Sequence, residues 1–383
     1  MRNTFVYFLS LILGCYTLAN FYVIWRSWVM LPGIGVWRWL IALVIIFLAM
    51  AYPLSRIAEY HRMAWFSSVS VWLGVFWIAA ILYFFLIFLG LHFFDALVWI
   101  FAKDACADRW FACRPQVWTG VVVFVAGLLA YGAWNASHPR VVRMEWAFPR
   151  LPVAATSLKV VALSDLHCGV IIGRERVQKI VTMINAEKPD VILLAGDVID
   201  GDLAPVQERK IGEVLQQLHA TYGVYAVTGN HEFFGGVQPS VDYLEAHGIR
   251  VLRDEVVPVG NAFFLVGRED ISVVRYKPEG RASLSNLLGR TDRSLPIFVM
   301  DHQPVALDEA EQAGADAQLS GHTHDGQFWP VNYIPKSLFK LSYGYKKFGP
   351  LNAYVSCGVG TWGPPVRIGN HPEIVVFTLK PAK

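Results

Sequence analysis

Apolar residues are distributed unevenly along the 383 residues of the chain. The first 136 residues consist mainly of long apolar runs, whereas short apolar runs alternate with polar stretches after about residue 139. A helix that crosses a bilayer needs about 20 consecutive apolar residues. Four segments approach or exceed that length: 4–28, 35–53, 68–101 and 117–134. The pattern predicts an all-α transmembrane bundle of about four helices in residues 1–136, a linker over 137–156, and a mixed domain over 157–383.

The ends and loops of the apolar part only partly determine its topology. The first segment has one basic residue, Arg2, before its apolar run and no small-residue cleavage site, so we interpret it as a retained anchor. Four crossings place the N-terminus and the C-terminal domain on the same side. Lys and Arg counts of six against five on the two sides do not decide which side is the cytoplasm.

Cys106 and Cys113 flank the loop between the third and fourth segments. A disulfide there would indicate an oxidising compartment and therefore a cytoplasmic C-terminal domain. The alternative is two unpaired thiols at helix ends. His92 and Asp95, about one helical turn apart in the third segment, could form an intramembrane polar site. We favour the other interpretation, in which both lie near the helix end within reach of water.

Composition narrows the classes of partner. Charged residues make up 16% of the chain and the formal net charge is +3, whereas a typical soluble protein has roughly 25% charged residues. The sequence has no basic stripe with interleaved aromatic residues, which argues against a nucleic-acid partner. The chain is therefore expected to be a membrane protein that carries an ordinary globular domain.

The apolar pattern of residues 157–383 alternates between two periods. Short Val, Ile and Leu runs within 158–165, 190–197 and 223–230 predict strands, and helical spacing over 174–186 and 206–219 predicts helices between them. This order implies parallel strands with right-handed crossovers. The rest of the domain is rich in short strands. Two sheets covered by helices, an α-β-β-α sandwich of the α/β class, fit this order better than one doubly wound sheet.

Polar residues stand at the ends of the predicted strands. The first strand ends in Asp165 and His167, which alternation places on one face. Taken alone, this pair could be a surface ion pair or half of a metal site. Four further strands end in Gly196-Asp197, Gly229-Asn230-His231-Glu232, His302, and His322 with His324. Because sites in open α/β sheets form beyond the carboxyl ends of strands, five such ends predict a common metal-binding site.

The order and spacing of these motifs resemble the calcineurin-like metallophosphoesterases. The matching motifs are Asp-x-His at 165–167, GDVID at 196–200, GNHE at 229–232, the isolated His302, and GHTH at 321–324. The resemblance covers about residues 157–380. The stretches GHTHDGQFWP and VSCGVGTWGPPVRIG look like the bacterial membrane-associated phosphodiesterase branch, near the UDP-2,3-diacylglucosamine hydrolases and the transmembrane proteins with a metallophosphoesterase domain.

The resemblance implies a centre of two divalent metal ions. Mixed nitrogen and oxygen donors without thiolate suit Mn first, with Fe or Zn as alternatives. In the family pattern Asp165, His167 and His324 hold one ion, Asn230, His302 and His322 hold the other, and Asp197 bridges them. A metal-bridging hydroxide would attack phosphorus in line. His231 would protonate the leaving oxygen, since neighbours at a strand end point in opposite directions and His231 would then face the substrate.

Four acids next to these motifs are expected to support the ligands. Asp200 and Glu232 are interpreted as carboxylates that orient ligands, or alternatively as solvated turn residues. Asp301 and Asp325 stand where relatives generally carry a small residue and a glycine, and each would tune the metals or fix an imidazole. Cys168, next to a predicted ligand, is either a thiolate ligand or a partly buried bystander, and we favour the bystander.

Segment 328–348 is aromatic and basic and follows the GHTH motif directly. Its aromatic and basic residues include Trp329, Tyr333, Phe339, Tyr343, Tyr345 and Phe348, with Lys336, Lys340, Lys346 and Lys347. One interpretation is a lip over the site that dips into an anionic bilayer surface and receives a lipid. The other is a loop packed on the domain.

These observations predict a membrane-anchored two-metal phosphoesterase that hydrolyses a phosphodiester or pyrophosphate bond of a lipid-linked substrate, with the bilayer as its partner. We expect a multi-pass protein of the bacterial inner membrane with a cytoplasmic catalytic domain. The alternatives are a phosphodiesterase or phosphatase for a soluble nucleotide, and a non-catalytic membrane scaffold or sensor. The scaffold is disfavoured because every expected ligand is present.

Overall fold

The apolar first part of the chain is helical in the computed structural model, which describes residues 2–61, 63–102, 104–155 and 157–382. The chain divides into two units, Met1–Ala133 and Trp134–Lys383. The helices of the first part are α1 (Arg2–Met30), α2 (Trp37–Tyr60), α3 (Ala64–Phe101), α4 (Asp104–Ala112) and α5 (Arg114–Ala136).

Three helices in the described residues are long and apolar enough to cross a membrane, over Trp37–Ala58, Trp65–Phe101 and Arg114–Ala136. They correspond to three of the four predicted crossings. The first predicted crossing, 4–28, lies in α1, where several side chains fall outside the described residues. A fourth crossing therefore stays a prediction.

Two expectations about the loops of the helical unit can be compared with the structure. Cys106 in α4 and Cys113 after it are exposed and not bonded to each other, which is the alternative of two unpaired thiols. Asp95 is buried and paired with Arg26 and Arg114. The expectation that water reaches Asp95 is therefore wrong, because its partners come from α1 and α5, far away in the sequence.

The second unit contains two six-stranded sheets. In spatial order, the first sheet consists of β1 (Arg140–Phe148), β12 (Glu373–Pro381), β2 (Leu158–Leu163), β3 (Val191–Leu194), β4 (Val224–Val227) and β5 (Arg250–Leu252). The second consists of β10 (Gly344–Phe348), β11 (Leu351–Val355), β9 (Ala317–Ser320), β8 (Ile297–Met300), β7 (Phe263–Gly267) and β6 (Glu255–Val259). Strands β2 to β5 are mutually parallel, as are β7, β8, β9 and β11.

Apolar residues on both faces of the strands explain the layers. Val160 and Ala162 of β2 belong to the core between the two sheets. Val161 and Leu163 face a second core, between the first sheet and the helices that follow β2, β3 and β4 in the chain. The helices of this unit are α6 (Arg174–Ala186), α7 (Ala204–Glu208), α8 (Ile211–Leu215), α9 (Asn230–Gly235), α10 (Val237–Ala246), α11 (Leu284–Leu288), α12 (Leu307–Ala313) and α13 (Tyr333–Leu338). A third core lies between the second sheet and the helices α11 and α12. The α-β-β-α sandwich is confirmed.

Two predicted boundaries need correction. Within the predicted linker, 137–156, the chain forms β1, which pairs in parallel with β12. Only Trp146 and Phe148 of β1 are buried, and its partner lies more than two hundred residues away, so local sequence gives little sign of it. The single helix predicted over 206–219 is two short helices, because Lys210 between them has a φ of 51°.

Candidate metal centre

The predicted ligands follow parallel strands of both sheets. They are Asp165 and His167 after β2, Asp197 after β3, Asn230 after β4, His302 after β8, and His322 and His324 after β9. Hydrogen bonds join the first two loops: the backbone N–H of Asp165 donates to the Gly196 carbonyl at 3.0 Å, and that of His167 donates to the Asp197 carbonyl at 2.9 Å. Loops distant in sequence are therefore held side by side.

Asp165, His167 and His324 form one group of potential metal ligands, whose donor atoms lie within 4.8 Å of one another. His324 Nε2 lies 3.3 Å from Asp165 Oδ1 and 3.1 Å from His167 Nε2. All three side chains are buried. Two imidazole nitrogens and a carboxylate oxygen thus face one small volume, a donor set that suits a divalent transition metal.

Asp197, His302 and His322 form a second group by the same measure. His302 Nε2 lies 3.1 Å from Asp197 Oδ2 and 3.3 Å from Asn230 Oδ1. His322 Nδ1 lies 2.8 Å from the same Asn230 oxygen. The structure therefore places the amide of Asn230 with this second group, as the family pattern implies.

The carboxylate of Asp197 lies between the two groups. Its Oδ2 is 3.1 Å from His302 Nε2 in the second group and 3.9 Å from His167 Nε2 in the first. Its other oxygen, Oδ1, accepts the backbone N–H of His231 at 2.9 Å, which fixes the orientation of the carboxylate. One oxygen of Asp197 thus faces both groups, which is the arrangement that a ligand shared by two ions requires.

Backbone strain is concentrated at these ligands. Positive φ angles occur at Asp165 (54°), His167 (50°), Asp197 (51°), His322 (70°) and His324 (49°). Each such conformation costs on the order of 1–3 kcal/mol in residues other than glycine and persists only where the surroundings enforce it. Close approach of the loops also needs glycine, because a Cβ on Gly229 would lie 2.1 Å from Asp197 Oδ1.

Hydrogen bonds to the far sides of the ligands fix their orientation. His302 Nδ1 donates to the Ala195 carbonyl at 2.8 Å, and His167 Nδ1 lies 3.2 Å from Asp200 Oδ1. In each case Nε2 is left to face the centre. Glu232 acts on the backbone, since its carboxylate accepts the N–H groups of Asp197, Ile199 and Gly229 at 3.2, 2.9 and 2.7 Å. Neither Asp200 nor Glu232 is a merely solvated turn residue.

His231 lies beside the centre and shares an acid with it. Its Nδ1 is 3.0 Å from Asp200 Oδ1, the oxygen that also faces His167. Asn230 and His231 are the first residues of α9, so the expectation that they end a strand is wrong. They nevertheless differ in their contacts, because Asn230 Oδ1 faces His302 and His322 while His231 faces Asp200. That division of the GNHE motif stays a prediction.

The two other acids near the ligands, Asp301 and Asp325, have different surroundings from those expected. The Asp301 carboxylate accepts from Arg281 at 2.8 and 2.9 Å and from Arg268 at 3.3 Å, and not from the imidazole next to it. Asp325 is buried, and its Oδ1 has no hydrogen-bond partner within the described ranges. Neither acid fixes an imidazole in the described residues. Cys168 is fully buried and belongs to none of the groups of potential metal ligands found among them.

Arg367 and Asn370 support the centre and were not predicted. The fully buried Arg367 guanidinium donates to the carbonyls of Cys357 and Gly360 at 2.6 and 2.8 Å and lies 3.4 Å from His324 Nδ1. Asn370 Nδ2 donates to the His324 carbonyl at 2.8 Å. The only signal was one arginine in the glycine-rich stretch VSCGVGTWGPPVRIG, whose carbonyl partners no pattern could indicate.

The charges of the buried groups favour ionised carboxylates and two protonated imidazoles. Burial opposes protonation of His167, but Asp200, Asp197 and Asp165 outweigh it and raise its pKa to about 9. Burial also opposes protonation of His302, but Asp197 raises its pKa well above the usual value. Burial lowers the pKa of His324 to about 3. At neutral pH the imidazoles of His167 and His302 in the metal-free site are therefore doubly protonated and positively charged.

Metal binding is expected to release these protons. Because a ligating imidazole must be neutral, affinity should rise with pH up to about 9, by about tenfold per pH unit for each proton displaced. Calorimetric titration of the chelator-stripped full chain with Mn²⁺, in buffers of different ionisation enthalpy between pH 7 and 9, measures both quantities. Affinity independent of pH in this range, with no proton release, would contradict the assigned charges.

Comparison with known proteins agrees with this geometry. The calcineurin-like phosphoesterase family profile matches residues 158–326. The chain is 33% identical over 261 residues to an uncharacterized metallophosphoesterase of Aquifex aeolicus, covering 67% of this chain and 98% of that protein. It is 33% identical over 274 residues to a transmembrane protein with metallophosphoesterase domain of Danio rerio, covering 68% of this chain and 62% of that protein.

Likeness to solved structures is weaker. The 5'-nucleotidase precursor from Thermus thermophilus has a TM-score of 0.36 and 17% identity, over 58% of this chain and 54% of that one, and this carries no argument about substrate. The match of family profile and relatives, on a fold that brings the motif residues together, is decisive. The chain belongs to the calcineurin-like metallophosphoesterase family of metal-dependent phosphoric ester hydrolases.

Proposed function

We propose that the chain hydrolyses a phosphodiester or pyrophosphate bond of a lipid-linked substrate at a centre of two divalent cations. The observation that carries the proposal is the pair of ligand groups with the Asp197 carboxylate between them. The donors are imidazole nitrogens with carboxylate and amide oxygens, which suit Mn, Fe or Zn. Mn is our first candidate, since harder oxygen donors accompany the imidazoles.

The fit of these residues to two cations rests on their charge and spacing. Asp165 and Asp197 are buried carboxylates whose pKa values lie below the usual range, because neighbouring imidazoles outweigh the effect of burial. Facing nitrogens of His167 and His324 at 3.1 Å need a proton or a cation between them. When bound, two divalent cations supply charge neutralisation at phosphorus and lower the pKa of water.

His231 is placed to move the proton that the leaving oxygen requires. With Nδ1 beside the Asp200 carboxylate, its Nε2 is the nitrogen that remains for the substrate. A carboxylate in this position holds the imidazole in one orientation, as in other acid–imidazole pairs. Asp165, Asp197 and the other ligands need not transfer protons.

Exposed apolar residues near the centre support a lipid-linked substrate. Tyr333 and Leu338 of α13 are 62% and 71% exposed, and Trp329 just before this helix is 53% exposed. Phe339, at the end of α13, has its ring centroid 6.3 Å from that of His322. Exposed apolar side chains beside a phenylalanine that packs on a predicted metal ligand suit an acyl chain, and the exposed Lys336 of the same helix suits anionic lipid.

The panel that tests the substrate class uses the purified full chain in detergent with Mn²⁺. We expect detergent-dispersed lipid phosphodiesters and lipid pyrophosphates to have a higher kcat/KM than soluble nucleotide diesters and pyrophosphates. A preference for the soluble nucleotides would favour the second candidate and reject the lipid-linked one. No turnover of any phosphoester with two metals bound would reject catalysis itself.

The apolar surface should matter only for lipid. In Leu338→Ser, the ratio of kcat/KM for lipid to that for a small soluble diester should fall by about tenfold, because burying one such side chain is worth about 1.5–3 kcal/mol. Val153→Ser, which changes another strongly exposed apolar residue of the same unit, is the matched control. An unchanged ratio in Leu338→Ser would mean that the helix is only packed on the domain.

A further inference from the structure

A cluster of charged side chains lies inside the helical unit and takes no part in the metal centre. Asp95 Oδ2 accepts from Arg26 Nη2 at 3.0 Å and from Arg114 Nη2 at 2.9 Å, and Asp95 Oδ1 accepts from Trp110 Nε1 at 2.7 Å. Arg26 is 2% exposed and Asp95 is 7% exposed. Because arginine stays protonated in proteins, two guanidinium groups share one carboxylate, and these three side chains carry one surplus positive charge.

Both guanidinium groups also have donors to spare. Arg26 Nε and Arg114 Nε are buried, and neither has a hydrogen-bond partner in the part of the chain that the structure describes. A buried charged donor without a partner is destabilising. An anion with several acceptor oxygens would satisfy both donors and neutralise the surplus charge, and phosphate matches the guanidinium fork in geometry.

The position of the cluster suits a lipid phosphate. Arg26 is near the end of α1, Asp95 is near the end of α3, and Arg114 is the first residue of α5. The Arg26 guanidinium lies 5.9 Å from the Trp25 ring, and Trp110 bonds directly to Asp95. Tryptophan and arginine at helix ends are typical of the membrane–water interface, where lipid phosphates lie.

An apolar cavity of about 260 Å³ lies in the same unit. Its lining includes Ser27, the residue after Arg26, and Trp118, one helical turn after Arg114, and these two are joined by a 3.0 Å hydrogen bond. It extends to Leu48 and Trp77, near the middle of α2 and α3. A free phosphate ion would not occupy such an apolar cavity, whereas an acyl chain would.

We propose that the helical unit binds an anionic phospholipid, with its phosphate at Arg26 and Arg114 and one acyl chain in the adjoining cavity. The site is separate from the metal centre and does not depend on the proposed hydrolysis. The surplus charge selects an anionic headgroup, and the cavity selects a lipid over a small anion.

Native mass spectrometry of the delipidated full chain in uncharged detergent tests the site. Phosphatidylglycerol should bind at least about fivefold more tightly than phosphatidylcholine with the same chains, the factor expected from one basic side chain near a charged lipid. Arg114→Gln should abolish this preference while keeping the Arg26–Asp95 pair and hence the fold. Arg109→Gln, which removes an exposed arginine of α4 outside the cluster, is the matched control and should keep it.

A second variant tests the cavity without changing charge. Ile45, a buried residue of the lining, can be changed to Trp, which should weaken binding of phosphatidylglycerol. Inorganic phosphate should not compete, because it has no chain. Equal binding of the two lipids by the unchanged protein would overturn the proposal. An equal loss in Arg109→Gln would also overturn it, because that result indicates general charge attraction. Displacement of lipid by inorganic phosphate would overturn it as well, because that result indicates a small-anion site.

Discussion

Asp197→Asn is expected to reduce phosphoester hydrolysis by about 10²–10⁴-fold. The substitution removes a negative charge that the two cations would share, and removing one partner of a buried charge pair costs about 3–5 kcal/mol. One oxygen of this carboxylate faces both ligand clusters, so the substitution should weaken both at once. The fold should survive, because the asparagine oxygen can still accept the backbone N–H of His231. Steady-state rates with a soluble diester and the melting temperature of each protein measure the two effects.

Asp202→Asn is the matched control for this substitution. Asp202 is exposed in the same loop, and its carboxylate accepts only a backbone N–H, that of Ala204, among its described hydrogen bonds. It should retain full activity. Near-normal turnover in Asp197→Asn with two metals still bound would show that the carboxylate does not bridge them.

His231→Ala should lower kcat by about 10²–10⁴-fold, the usual contribution of a positioned proton donor, and should leave metal content unchanged. The loss should shrink for a substrate whose leaving group has a low pKa, since that group needs little protonation. Metal analysis, together with kcat for a p-nitrophenyl ester and an alkyl ester, tests both parts. Loss of a metal ion in His231→Ala would make this residue a ligand.

Asp200→Asn distinguishes positioning from proton transfer. One oxygen of Asp200 faces both His167 and His231, so its substitution should impair two functions. We expect a lower kcat, and also metal affinity weaker by about 10–100-fold, the usual effect of removing a group that orients a ligand. An unchanged metal affinity would show that the His167 contact has no orienting role.

Patterns that depend on local apolar order were sufficient for most of the fold. β2, β3 and β4 are almost wholly buried, so their sequences are nearly continuous apolar runs. The chain order of strands and helices limited the sheets to few arrangements. The predicted ligands of the centre could also be identified from the sequence, because the carboxyl ends of parallel strands meet at one edge of a sheet. The motif order then assigned residues to the two groups.

Features that depend on partners distant in the chain could not be predicted from the sequence. β1 is mostly exposed and is held by β12, so its own sequence resembles a linker. Asp301 follows a strand end like a ligand, yet arginines 20 and 33 residues earlier capture its carboxylate. Asp95 in α3 likewise meets Arg26 and Arg114 only after the helices pack. For Asp301 and Asp95 the sequence shows a charge but not the opposite charge with which it pairs.

The central claim is that two metal ions, held by residues that follow five parallel strands, carry out phosphoester hydrolysis. The most direct measurement is reactivation of the chelator-stripped full chain by stepwise addition of Mn²⁺, with turnover of a soluble phosphodiester and bound metal recorded at each step. The account predicts that activity follows occupancy of a second ion and saturates at about two ions per chain. Full activity in the stripped protein, or saturation with a single bound ion, would contradict it.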